Sequence, residues 1–154
     1  MWGIPRWPLA LGIAGLIPFV LGAAISQLPS PVMMGEQYPI LAAADGLDAL
    51  ASYGVVILSF MSGVLWGFAT RSASPVWYVL SVIPALYCFF YAGAGVFTGG
   101  RLEDALVNLI IGFAGLLALD GAYAWKKLTP PWWMKLRAIL TTVVIACLAV
   151  GAFG

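Results

Sequence analysis

Five long apolar stretches, separated by short polar segments, organise the chain. Each is about 20 residues long, which as a helix spans roughly the 30 Å hydrocarbon core of a bilayer. The pattern predicts five transmembrane helices in one bundle, and all 154 residues are assigned to this single membrane domain. The predicted helices cover residues 8–28, 49–70, 76–97, 102–125 and 133–153.

The basic residues are confined almost entirely to alternate connections. Six of them precede the first stretch, follow the second, or lie between the fourth stretch and the start of the fifth: Arg6, Arg71, Lys126, Lys127, Lys135 and Arg137. The other two connections hold Arg101 together with five acids: Glu36, Asp45, Asp48, Glu103 and Asp104. Because cytoplasmic loops carry the excess of Lys and Arg, the N-terminus is predicted inside, in the cytoplasm, and the C-terminus outside. The fold class is therefore an all-α integral membrane protein.

Prolines, and two cations near the start of the fifth stretch, suggest local features of these helices. Pro18 lies in the middle of the first stretch and is expected to kink it. Pro39 could begin a short helical stub in the long connection before the second stretch. Lys135 and Arg137, in the first turn of the fifth stretch, are both expected to extend to the inner surface.

Small residues recur at helical spacing on three of the stretches. The candidate seams are Gly12, Gly15 and Gly22 on the first, Ser59, Gly63, Trp66 and Gly67 on the second, and Asn108, Gly112 and Gly115 on the fourth. Small residues let helix backbones approach closely in lipid, so these faces are expected to pack against other helices or a partner. A polar-lined pocket capped by Trp66 is the alternative for the second stretch.

Composition narrows the chemistry further. The chain is 63% apolar, 8% charged and has a net charge of +1, which gives no argument for binding nucleic acid. It contains no histidine, so histidine-ligated metals and histidine-dependent nucleophilic catalysis are excluded for this chain alone. Cys88 and Cys147 lie in apolar stretches without a CxxC pair. No catalytic, metal-binding or cofactor-binding residue is predicted, and the chain is not expected to be an enzyme.

Asp120 is the one acid that lies beyond the first turn of a predicted helix. A carboxylate in the centre of a membrane costs roughly 2.5–3.5 kcal/mol, which makes such residues functional candidates. Asp120 also lies about 9 Å of helical rise from Lys126, close enough for a buried ion pair with a cation of the inner side. Structural anchoring is favoured, and proton handling or ligand capture is the alternative.

Two segments resemble a known family. The first is the run from Pro8 to Phe19, PLALGIAGLIPF, and the second is the run from Tyr53 to Gly67, YGVVILSFMSGVLWG. They are similar to the transmembrane protein 69 family, also called domain of unknown function 3429. The resemblance implies a bacterial or mitochondrial membrane protein of about five helices, with an acid matching Asp120. Members often have a histidine where this chain has Leu65.

These observations favour an accessory, stabilising or assembly subunit of a larger energy-transducing membrane complex, respiratory or photosynthetic. The partners are expected to be membrane lipids and that complex. Because nothing rich in Arg and Ser precedes the first stretch, the cytoplasmic (inner) membrane of a bacterium is the expected location. A binder or sensor of a hydrophobic ligand, such as a quinone, pigment or lipid, is the alternative, and a proton-coupled carrier using Asp120 is less favoured.

Overall fold

The computed structural model describes residues 3–93 and 100–154, most of which are helical. The helices are α1 (Arg6–Gly15), α2 (Ile17–Ser26), α3 (Ala43–Ala69), α4 (Val76–Tyr91), α5 (Leu102–Trp125) and α6 (Trp133–Phe153). Between α2 and α3 lies an antiparallel hairpin of β1 (Val32–Met34) and β2 (Tyr38–Leu41).

Several of these helices are long and apolar enough to cross a membrane. Within the described ranges they are the combined stretch Arg6–Ser26 (α1 and α2), α3, α5 and α6. The apolar helix α4 has 16 residues, a rise of about 24 Å, which is shorter than a typical hydrocarbon core. The architecture is thus that of a helical multi-pass membrane protein. The bounds predicted for residues 102–125 and 133–153 agree with α5 and α6.

The first stretch is interrupted where the sequence predicts a kink. Helix α1 ends at Gly15 and α2 begins at Ile17, so that Pro18 occupies the first turn of α2. Proline lacks the N–H that would continue the helix and is tolerated in a first turn, which is why the break lies just before it. The stretch also begins at Arg6 and ends at Ser26, two residues earlier at each end than predicted.

The connection before α3 differs from the prediction. Pro39 lies in β2 and not in a helical stub, and the hairpin turn contains Gly35 with a φ of +77°, a conformation that glycine adopts without steric cost. Helix α3 then begins at Ala43 and not at residue 49. The Asp45 carboxylate accepts a hydrogen bond from the Ala42 N–H at 2.7 Å. Asp45 and Asp48, which the sequence placed in the connection, therefore lie in the first turns of α3, where negative charge is favourable.

The third predicted stretch, 76–97, is also shorter in the structure. Helix α4 ends at Tyr91, and the next two residues leave the helix. Residues 94–97 of that prediction lie outside the described residues.

Contacts near the helix ends show that successive passes run in opposite directions. At one end, Phe68 of α3 contacts Trp133 of α6, with ring centroids 4.9 Å apart. At the opposite end, the Gln27 side-chain amide beyond α2 donates to the Val150 carbonyl of α6 at 3.1 Å.

The same alternation separates the charges of the connections. Trp77, at the start of α4, packs on Tyr123, near the end of α5, with ring centroids 4.8 Å apart. At the other end, the Asn108 amide of α5 donates to the Tyr91 carbonyl at 2.8 Å. The basic connections 70–75 and 126–132 therefore lie at one end of the bundle, and the starts of α3 and α5, which contain Asp45, Asp48, Glu103 and Asp104, lie at the other. Buried leucines fill the core between them: Leu50, Leu58, Leu65, Leu106, Leu109, Leu116 and Leu148.

Candidate functional site

A buried carboxylate lies at the end of the bundle where the basic connections meet. Asp120 of α5 is fully buried, and its Oδ2 accepts a hydrogen bond from Arg137 Nε at 2.8 Å. Its Oδ1 accepts a second hydrogen bond from the indole Nε1 of Trp133 at 2.9 Å. Both carboxylate oxygens therefore have a donor, and both donors come from α6.

The spacing of the two donors explains how one helix can supply both. Trp133 and Arg137 are four residues apart, so they lie on the same face of α6, one above the other. Trp133 is held from the other side by its contact with Phe68 of α3. The site thus joins α3, α5 and α6 at one depth.

The position of Arg137 corrects the sequence prediction. Arg137 does not extend to the inner surface: its side chain is 5% exposed and turns into the bundle to pair with Asp120. Trp133 is half-buried, and its indole N–H is directed to Asp120. The physical reason is that an unpaired buried carboxylate is far more costly than losing the hydration of one cation that can pair with it.

The ion pair agrees with the interpretation of Asp120 as a structural anchor to a cation of the same side. The sequence suggested Lys126 as the nearest cation, but the partner is Arg137, which lies 17 positions away. A guanidinium can donate to a carboxylate and retain further N–H groups for other acceptors.

Two polar atoms beside the pair have no hydrogen-bond partner among the residues that the structure describes. They are Nη2 of Arg137 and Oγ1 of Thr141, both buried. Arg137 and Thr141 are also four residues apart, so they share the face of α6 that carries Trp133. Because unpaired buried polar atoms are uncommon and costly, these two atoms mark a position that an acceptor could occupy.

A second polar cluster ties α3, α4 and α5 together. The buried Ser62 hydroxyl of α3 donates to the Ser81 carbonyl of α4, three residues before Pro84. The fully buried Tyr123 of α5 donates its hydroxyl to the Trp77 carbonyl. These bonds satisfy internal polar groups, as a backbone in an apolar environment requires. The cluster is structural in character.

Several of the predicted seam residues do pack closely against other helices. A Cβ placed on Gly12 would lie 2.9 Å from a Leu140 methyl carbon, and one on Gly22 would lie 2.9 Å from Leu50. Gly112 similarly faces Leu58 at 2.8 Å. Asn108 bridges to the end of α4, and the Tyr53 hydroxyl donates to the Gly15 carbonyl at 3.0 Å, next to the helix break.

The seam on α3 is placed differently. Ser59, Gly63, Trp66 and Gly67 are all exposed, and no other atom lies within 4 Å of a Cβ placed on either glycine. Trp66 keeps one edge-to-face contact, with Tyr78, while remaining 49% exposed. Internal packing is therefore wrong for Gly63 and Gly67. Gly115 on α5 is open in the same way. Trp66 does not line the cavities of about 500, 350 and 290 Å³ within residues 3–93 and 100–154.

The closest approach of two helices involves a residue that the sequence pattern does not single out. A Cβ on Gly46 of α3 would overlap the backbone nitrogen of Ser26 and lie 2.6 Å from the Gly22 carbonyl oxygen. Gly46 falls in a predicted loop, where helical spacing has no meaning. Its alignment with Gly22 across α2 and α3 depends on the register between the helices, which sequence alone does not give.

The remaining chemical candidates do not form a metal site. Among residues 3–93 and 100–154, no three His, Cys, Asp or Glu side chains come together to hold a metal ion. Cys88 and Cys147 are buried free thiols on different helices. Leu65 is fully buried in the core.

Sequence comparisons agree with this architecture. A family profile described as "Protein of unknown function (DUF3429)" matches residues 4–153. A protein from Xenopus tropicalis called Transmembrane protein 69 is 36% identical over 146 residues, which cover 92% of this chain and 51% of the relative. Its namesake from Mus musculus is 28% identical over 141 residues, covering 90% and 52%. The chain thus spans about half the length of these relatives, and no solved structure shows a significant match.

Proposed function

The chain belongs to the DUF3429 family, as its first two motifs indicate, and we propose that it is a non-catalytic accessory, stabilising or assembly subunit of a larger energy-transducing membrane complex. The observation that carries this proposal is the outer face of α3, formed by Phe60, Gly63, Trp66 and Gly67.

Glycines elsewhere in the bundle support this use of the α3 outer face. A Cβ added to Gly12, Gly22 or Gly112 would lie less than 3 Å from a side chain of a neighbouring helix. Gly63 and Gly67 also lie within a long helix. A Cβ added to either of them would have no atom of a neighbouring described helix within 4 Å. Since glycine lowers helix propensity by about 1 kcal/mol, a pair of unused glycines one turn apart favours a contact made with another molecule.

The chemistry of the α3 outer face indicates the kind of partner. No charged residue occurs between Asp48 and Arg71, so this length of α3 suits a hydrocarbon environment. The rings of Phe60 and Trp66 flank the two glycines and are 64% and 49% exposed. A transmembrane helix of another protein, approaching with its own small residues, would lie in the groove between the rings.

Photo-crosslinking in native membranes tests the proposal. A photoreactive phenylalanine derivative replaces Trp66, an exposed ring that flanks the two glycines, and the matched control carries it at Ala118, an exposed small residue of α5. The expected result is one discrete product from position 66 and none from position 118. Adding the substitution Gly63→Leu should abolish that product, because the added side chain blocks close approach while meeting open space within the bundle.

The identity of the product separates the possible partners. Purification in mild detergent followed by mass spectrometry should show a stoichiometric second integral membrane protein. A product of twice the chain mass would instead show self-association, and a monodisperse monomer without a product would contradict the proposal.

A further inference from the structure

A cavity of about 350 Å³ lies beside the Asp120–Arg137 pair, within the range of small-molecule sites. It is lined by α1, α3 and α6, with Phe19 and Phe113 at its inner side. Leu11 of α1 and Phe60 of α3 flank it and are 68% and 64% exposed. The cavity therefore opens sideways, toward the hydrocarbon region, and a ligand would enter it from the lipid.

The break in the first stretch accounts for the cavity. Beyond the break, α2 packs tightly on α3 through Gly22 and Gly46. Before the break, α1 packs on α6 where Gly12 faces the side chain of Leu140. Helix α2 packs on both α3 and α6, whereas α1 packs on α6 and hardly at all on α3, so a wedge of space remains between α1 and α3.

The lining is apolar apart from two donors on one side. Arg137 and Thr141 line the cavity, and they hold the two buried polar atoms that have no hydrogen-bond partner. Both residues are at least nine-tenths buried, at 4% and 1% exposed. Two unsatisfied donors one helical turn apart, on residues that line an otherwise apolar cavity, are complementary to an acceptor on an apolar molecule.

The charge of the site selects the acceptor. Arg137 already pairs with the Asp120 carboxylate, so the buried pair is neutral as it stands. A second carboxylate or a phosphate would add an uncompensated negative charge in an apolar environment, which is costly. A carbonyl oxygen adds no charge and has two lone pairs, enough to accept from both Arg137 Nη2 and Thr141 Oγ1.

The aromatic lining favours a ring. Phe19, Phe60, Phe113 and Trp133 all border the cavity, and Phe19 and Phe113 meet edge to face with centroids 6.1 Å apart. We propose that this cavity binds a neutral, lipid-soluble cyclic carbonyl compound of the quinone type, with one carbonyl accepting from Arg137 and Thr141. This proposal does not rest on the accessory role, and the cavity adjoins the α3 outer face at Phe60, which borders both.

Equilibrium dialysis of the purified chain in detergent tests this site, with a labelled decyl-substituted benzoquinone as the probe. Saturable binding is expected at one site per chain. Thr141→Val keeps the shape of the side chain and removes its hydroxyl, and it should weaken binding about fivefold to tenfold, the loss of one hydrogen bond. Thr142→Val is the matched control, because Thr142 is exposed and bonds to the Ala138 carbonyl, and it should leave the affinity unchanged.

Competition identifies the chemistry that is recognised. Unlabelled decylbenzene has the ring and chain without carbonyls. The concentration of decylbenzene that displaces half of the probe should be at least about tenfold higher than that of the unlabelled quinone. Decanoate should compete weakly as well. Strong competition by decanoate would show that the site binds an anionic lipid and not a neutral carbonyl compound, which would overturn the proposal. Equal affinity of the wild type and Thr141→Val for the quinone would overturn it as well.

Discussion

At the scale of single residues, the pairing of Asp120 with Arg137 is the feature that most distinguishes this bundle. Asp120 is recognisable from the sequence because it is the one acid that lies far from the ends of an apolar stretch. Arg137 is not, because a cation in the first turn of a membrane helix usually extends to the surface. Which of several cations pairs with Asp120 depends on how α6 is rotated against α5, and that rotation is a property of packing.

A double-mutant cycle tests the pairing. Asp120→Asn or Arg137→Gln alone leaves one buried charge unpaired and should lower the free energy of unfolding by about 3–5 kcal/mol. The double substitution leaves no unpaired charge and should recover most of that loss. The measurement is unfolding by SDS titration in mixed micelles.

A substitution of Lys135 is the control for this double-mutant cycle. Lys135 is also in the first turn of α6 but is exposed, so Lys135→Gln should change the free energy of unfolding much less. Strictly additive effects of Asp120→Asn and Arg137→Gln would show that the ion pair does not stabilise the fold.

At the scale of helices, glycine positions decide which faces approach closely. Regular spacing predicts the faces that contain Gly12, Gly22 and Gly112, which do meet other helices. It cannot tell an internal seam from an outer one, because both have the same periodicity. Gly63 and Gly67 have this spacing but face open space, whereas Gly46, outside the predicted helix, lies against the backbone of α2.

Two alanine substitutions within α3 separate these roles. Gly46→Ala should destabilise the protein by about 1–3 kcal/mol or more, because its Cβ meets the backbone of α2, which cannot move aside as a side chain can. Gly63→Ala meets open space and should be neutral or stabilise by about 1 kcal/mol or less. Thermal unfolding of both variants in the same detergent measures the difference, and equal stability would contradict the close packing of α2 on α3.

At the scale of the whole molecule, the charges of the connections are separated between the two ends of the bundle. The structure brings the basic connections 70–75 and 126–132 together, as expected from an alternating path. Which end faces the cytoplasm follows from the excess of Lys and Arg and remains a prediction.

Cysteine labelling determines this orientation. Ala73→Cys lies in a basic connection and Gln37→Cys lies in the hairpin turn, and both positions are exposed. A membrane-impermeant maleimide should label Gln37→Cys in intact cells and Ala73→Cys only after permeabilisation. The native Cys88 and Cys147 are buried, so the unsubstituted chain is the control for background labelling. The reverse pattern would invert the topology.

Hydropathy along the chain was enough to predict the membrane environment, the helical class and the bounds of α5 and α6. These features are predictable because hydropathy and helix rise are local properties, and a chain in lipid has to satisfy its backbone within each segment. Helix packing, in contrast, sets the partner of Asp120, the outward direction of Gly63 and Gly67, and the cavity beside Arg137 and Thr141. These features depend on the rotation and register of one helix against another, which side-chain packing sets across distant parts of the chain.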